Sequence, residues 1–96
     1  MMSKKKLYTY CKNKIKIAED LITKTNDIRG KLKNLDSEYC RGELVRIAIR
    51  YIDAVELVLI RCLSVTKNHN KGKFKILRNK ARKLLYANIK GSGYCR

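Results

Sequence analysis

Basic side chains recur at helical spacing in the last third of this 96-residue chain. Four of them follow one another in steps of four, three and four residues, a spacing that places all four on one face of a helix. Like charges at these positions destabilise an isolated helix by about 0.2–0.5 kcal/mol per pair, and a bound polyanion would remove that cost. The row therefore predicts contact with nucleic-acid phosphates. It consists of Lys71, Lys75, Arg78 and Arg82, and the full candidate set adds Lys80 and Lys83, with Lys12 and Lys16 as secondary members.

The charge is distributed unevenly along the chain. Twenty-four basic and eight acidic residues give a formal net charge of +16, and all eight acids lie within residues 19–56, which sum to −1. Residues 1–18 carry +6 and residues 57–96 carry +11. A short chain with this charge repels itself, which favours an anionic partner. Two alternatives stay open: a solvated helix face, although such faces usually mix both signs, and a basic face that docks an acidic protein partner.

Groups that could support catalysis or metal binding do not form a convincing constellation. The adjacent carboxylates Glu19 and Asp20 point to different faces of a helix, and no Cys-x-x-Cys pair occurs. The single histidine, His69, lies in a polar turn, whereas Cys62 falls on an apolar helix face. We therefore expect no catalytic residue, no metal, no cofactor and no enzymatic activity.

The cysteines and the apolar runs bear on where the chain works. The start of the chain has no apolar signal core, so the four cysteines are expected to be reduced thiols in the cytoplasm. The longest apolar runs, such as 57–60, are far too short to span a bilayer, so no membrane partner is expected.

The segment from Glu43 to Val65 is the element around which the rest must pack. Its apolar residues recur in steps of three and four, and further apolar positions extend that surface over roughly two thirds of the helix circumference. Two neighbouring helices would not hide so wide a surface, which predicts a homo-oligomer with this helix at the interface. The expected interface residues are Ile49, Ile52, Leu59 and Leu63.

The remaining pattern predicts two more helices and short connections. The first helix runs from Leu7 to about Leu35, the central helix begins at Glu38 or Glu43 behind a cap at Asp36 or Ser37, and the third runs from Phe74 until Gly91. Residues 1–6 form a basic, frayed start and residues 91–96 a mobile tail. The prediction is a single all-α domain over residues 1–96, a small antiparallel up-down-up bundle of three long helices completed by oligomerisation.

The stretch from the central helix into the third resembles a known family. An apolar helix, a turn containing Asn68, Asn70 and Lys71, and a basic helix with Leu77, Ala81, Leu84 and Leu85 inward are similar to Avd-like accessory proteins of diversity-generating retroelements. Those proteins are related to the four-helix proteins encoded in ribosomal RNA intervening sequences. The resemblance covers about a third of the chain, which is shorter and lacks a fourth helix. It implies a homo-oligomeric basic bundle that binds RNA or DNA and assists a larger protein such as a reverse transcriptase.

Overall fold

A computed structural model of the chain describes residues 3–90, apart from the side chains of Ile89 and Lys90. Within that range the protein consists of three α-helices, α1 (Lys4–Leu32), α2 (Glu38–Val65) and α3 (Lys73–Lys90). The prediction of a small all-helical bundle is therefore confirmed for the described residues. The expected mobile tail at 91–96 lies outside them, as do the first two residues of the expected frayed start.

Serine side chains set the first residues of α1 and α2. The Ser3 hydroxyl accepts a hydrogen bond from the Lys6 backbone N–H at 3.2 Å, so α1 begins at Lys4, three residues before the Leu7 start that periodicity predicted. The Ser37 hydroxyl accepts from the Cys40 N–H at 3.3 Å, and α2 accordingly begins at Glu38, the earlier of the two predicted starts.

The buried apolar residues form two clusters at different places along an elongated molecule of 51 × 20 × 17 Å. Where all three helices meet, which we call the three-helix half, the main cluster consists of Leu7, Cys11, Ile15 and Ala18 of α1, Val55, Leu59 and Cys62 of α2, and Phe74, Leu77 and Ala81 of α3. In the two-helix half, α1 and α2 continue alone around Ile28, Leu32 and Ala48. The short α3 therefore covers only part of the α1–α2 pair.

Two of the four expected interface residues are buried inside the chain instead. Ile52 is 6% exposed and Leu59 is 0% exposed, and the Ile52 carbonyl oxygen accepts a hydrogen bond from the Asn88 Nδ2 of α3 at 2.9 Å. Assigning them to an oligomer interface was therefore wrong, because α3 packs over the side of α2 that carries them. Ile49 and Leu63, the other two, are half-buried.

The apolar side chains that α2 does expose are different ones. Leu57 is 69% exposed, and Ile47, Ile60 and Val65 are exposed as well. No helix within residues 3–90 combines the length and the hydropathy that a bilayer crossing requires.

Candidate nucleic-acid interface

Contacts between α3 and α1 hold two rows of lysines side by side. The Tyr8 and Phe74 rings meet edge to face, with their centroids 5.6 Å apart, and the Lys73 Nζ lies 4.5 Å from the Tyr8 ring centroid. Further along, the Lys80 Nζ lies 3.4 Å from the Glu19 Oε1. Tyr8 and Glu19 lie three turns apart on α1 and therefore on the same side of it. The contacts thus hold one side of α1 against one side of α3.

Lys12 and Lys16 belong to this shared surface because they lie between those two contact points. Tyr8, Lys12 and Lys16 follow one another at intervals of four, the spacing of one helix side. Lys83 continues the α3 row one turn after Lys80, and every lysine of the set is exposed. We call this surface the α1–α3 face, and its cations are Lys12, Lys16, Lys73, Lys80 and Lys83. Four of these were predicted as phosphate contacts; Lys73, which the sequence shows only as a flanking residue, was not among them.

A second set of exposed cations lies further round α3. Lys75 and Arg82 are seven residues apart and thus on one side of the helix, and the Arg82 Nη1 donates to the Asn79 Oδ1 at 3.3 Å. Tyr86, four residues after Arg82, is 66% exposed. Lys71 is exposed in the loop before α3. An aromatic ring and an amide thus accompany cations on the outer side of α3.

Arg78 does not belong to this exposed set, although its spacing predicted that it would. Its Nη1 donates to the Leu63 carbonyl oxygen at 2.7 Å and to the Thr66 Oγ1 at 2.8 Å. The last carbonyl groups of a helix lack partners within the helix and carry partial negative charge, so a guanidinium stabilises them. Arg78 is half-buried and holds the C-terminal end of α2, so it is not one of the exposed cations of α3.

The fold turns the uneven charge of the sequence into a difference between the two halves. Residues 3–18 and 57–90, which carry +6 and +10, contain no acid and supply almost all of the main cluster in the three-helix half. The residues between them, 19–56, sum to −1 and form the rest of the α1–α2 hairpin. The Lys80–Glu19 pair is where the two regions meet. A polyanion would therefore be attracted to one end of the molecule.

The two buried thiols, Cys11 and Cys62, stay protonated at neutral pH, and a protonated thiol is neither a nucleophile nor a metal ligand. Cys62 and Cys11 lie together in the main cluster, with the Cys62 Sγ 3.9 Å from the Cys11 carbonyl oxygen. Burial raises the pKa of both thiols, and the pKa of Cys62 reaches about 12 through burial together with the neighbouring Cys11. The His69 ring packs on Phe74, with centroids 5.1 Å apart. The part of the chain that the structure describes holds no group of three His, Cys, Asp or Glu side chains that could bind a metal.

Comparison of the chain with protein-family models, with curated proteins and with solved structures finds no match. Its own charges and contacts are therefore what supports a function. They present exposed cations from two helices at one end of the bundle, an arrangement that can bind closely spaced phosphates.

Proposed function

We propose that this chain is a non-enzymatic protein that binds RNA or DNA through the phosphate backbone, using the exposed cations of its three-helix half. The observation that carries the proposal is the charge separation between the halves: +16 on residues 3–18 and 57–90, against −1 on residues 19–56. A merely soluble surface would intersperse both signs. Concentrating one sign on the best-packed half instead gives a polyanion a fixed target.

Binding through these cations follows charge and shape rather than base sequence. Each lysine or arginine that contacts a phosphate releases condensed counterions, which supplies most of the affinity at low salt. An exposed tyrosine such as Tyr86 adds a ring on which an unpaired base can stack. The residues proposed to contact phosphates are Lys71, Lys75, Lys80, Arg82 and Lys83, with Lys12, Lys16 and Lys73 on the α1–α3 face.

A charge-matched pair of variants tests the proposal. One variant replaces four exposed cations of α3, Lys75, Lys80, Arg82 and Lys83, by glutamine; the control replaces Lys24, Lys31, Lys33 and Arg50, which are exposed in the two-helix half. Both lose four charges. Binding to a labelled duplex, measured by fluorescence anisotropy, should weaken about a thousandfold or more at moderate salt for the α3 variant and change little for the control. Equal weakening would indicate that net charge alone attracts the duplex and would contradict a specific interface.

We further propose that copies of the chain, each an antiparallel up-down-up bundle, associate through their two-helix halves. Two contacts support the antiparallel direction of α1 and α2. Arg41, near the start of α2, contacts the Leu32 carbonyl oxygen at the end of α1, and Cys62, near the end of α2, contacts Cys11 in the first half of α1. The association is supported by Ile49, whose side chain stays partly exposed. The last described side chain of α3, Asn88, reaches only as far as Ile52 and does not cover Ile49. Val45 and Ile49 continue the side of α2 that α3 covers further along. The near-neutral charge of residues 19–56 allows this contact without strong repulsion.

In a cell, we propose that the protein works in the cytoplasm as an accessory subunit of a nucleoprotein complex. The resemblance of residues 55–89 to Avd-like proteins supports a reverse transcriptase as the larger partner. An adaptor whose basic surface docks an acidic protein is the second candidate. Both ideas share the exposed cations, and the nature of the polyanion distinguishes them: the purified protein carries nucleic acid in the first case and a defined acidic protein in the second.

A further inference from the structure

An apolar groove runs between α1 and α2 in the three-helix half, lined by residues that the proposed phosphate contacts do not use. Tyr10 of α1 and Leu57, Ile60 and Val65 of α2 line it. Leu57 is 69% exposed, and Ile60 and Val65 are exposed as well. Contiguous exposed side chains of this size are typical of a surface that a partner covers.

Cations flank this apolar surface. Lys14 of α1 and Arg61 of α2 both line the groove, and none of its lining residues within the described part of the chain is acidic. The Lys14 Nζ lies 5.5 Å from the Tyr10 ring centroid, so this charge is held beside the apolar surface. The whole three-helix half adds a positive field. Carboxylates on a ligand would be complementary to both flanking cations.

The groove has the length and pattern that a helix can fill. From Leu57 to Val65 it follows α2 for a little over two turns, about 12 Å. A helix that lies in such a groove presents side chains at i, i+3 or i+4, and i+7 to an apolar surface and keeps its remaining positions at the rim. Acidic residues at those rim positions would lie near Lys14 and Arg61.

Other occupants from this chain fit the groove poorly. A second copy docked symmetrically, groove against groove, would bring Lys14 and Arg61 against the same cations of its partner, within two halves that each carry +16. Residues 1–2 and 91–96 contain no acidic side chain. The charges therefore favour an anionic ligand from a different protein.

We propose that the groove between α1 and α2 binds an amphipathic helix of another protein whose apolar residues recur at i, i+3 or i+4, and i+7 and are flanked by Asp or Glu. This surface is separate from the cations proposed to contact nucleic acid. It would let the chain bind a protein partner and nucleic acid at the same time, as an accessory subunit has to do.

A synthetic peptide of roughly 18 residues, long enough to be helical, is the probe. It carries Leu at the three spacings above, Glu on the flanking positions and Ala elsewhere. Its control is a scrambled peptide of the same composition and charge, with the leucines off one face. Fluorescence anisotropy with the full chain and no nucleic acid should give affinity for the first peptide at least about tenfold tighter than for the scrambled one. Equal affinity would mean that charge alone attracts the peptides and would overturn the proposal.

Variants of the chain locate the binding. Leu57→Ser with Ile60→Ser should weaken the amphipathic peptide at least about tenfold, whereas Ile76→Ser, at a 73% exposed position of α3 outside the groove, should not. Lys14→Glu with Arg61→Glu should weaken it more than the charge-matched Lys24→Glu with Lys31→Glu. Unchanged affinity in the groove variants would refute the site, and so would self-association of the wild type that Leu57→Ser abolishes.

Nucleic-acid binding provides an independent readout of the same proteins. Leu57→Ser with Ile60→Ser should leave duplex affinity unchanged, since neither residue is among the proposed phosphate contacts. Loss of peptide binding with duplex binding kept supports a separate groove. Parallel loss of both, with native circular dichroism, would mean that peptide and duplex share one surface and would contradict the separation.

Discussion

At the scale of single residues, Arg78 carries a positive charge with a structural role, unlike the exposed cations that we propose to bind phosphate. Replacing it by methionine would leave the Leu63 carbonyl and the Thr66 hydroxyl without their guanidinium donor. We expect R78M to lower the free energy of unfolding by about 1–3 kcal/mol in urea denaturation, and to leave the salt dependence of duplex binding unchanged. R82M, at an exposed position of the same helix, should change stability by less than about 0.5 kcal/mol and weaken binding. The opposite pattern would return Arg78 to the interface.

The buried thiols give a second test at this scale. At pH 8, iodoacetamide should modify the exposed Cys40 of the folded protein much faster than Cys62, because burial raises the Cys62 pKa to about 12 and blocks access. Tandem mass spectrometry reads each site, and in urea the difference should disappear. Above about pH 9 the unfolded Cys62 thiol ionises while the folded one stays protonated until about 12, so Cys62 makes the protein less stable as the pH rises through that window. Rapid native labelling of Cys62 would contradict its burial.

At the scale of helices, periodicity carried most of the information and tertiary packing supplied the rest. Steps of three and four identified three helices, and Ser37 signalled the start of α2. Ser3 offers the same cap chemistry for α1, but the lysines after it hide that start, since like charges disfavour a helix by themselves. The interface residues Ile52 and Leu59 could not be assigned correctly, because a wide apolar arc does not say which side α3 will cover. The sequence likewise showed the basic row but not the turn of Arg78 towards α2.

Two glycines test the backbone of these elements. Gly42 lies inside α2, and a Cβ there would meet no atom within 4 Å, so G42A should stabilise the protein by about 0.5–1 kcal/mol through higher helix propensity. Gly72, just before α3, has a φ of +57°, in the left-handed region. Because alanine disfavours this region, G72A should destabilise the protein by about 1–2 kcal/mol. Urea denaturation measures both, and a destabilising G42A would indicate that α2 is interrupted at Gly42.

At the scale of the whole molecule, we propose that the two-helix half mediates association and that the three-helix half carries the positive charge. If copies associate through their two-helix halves, light scattering at moderate salt and tens of micromolar protein should report an oligomer. Ile49→Asp should reduce its size while circular dichroism stays helical, because Ile49 lies beyond the reach of Asn88. Ile76→Asp, at an exposed α3 position, serves as the control. A wild-type monomer under these conditions would contradict the association.

Charge separation between the halves is the central claim, and salt dependence of duplex binding tests it most directly. Without Arg78, seven of the predicted cations remain exposed, so a plot of log affinity against log salt should have a slope of about −5 to −7. Replacing Lys75, Lys80, Arg82 and Lys83 by glutamine should reduce the magnitude of that slope by about 3–4, and the matched change in the two-helix half should leave it unaltered. A flat dependence, no binding at low salt, or the same slope in all three proteins would contradict the account.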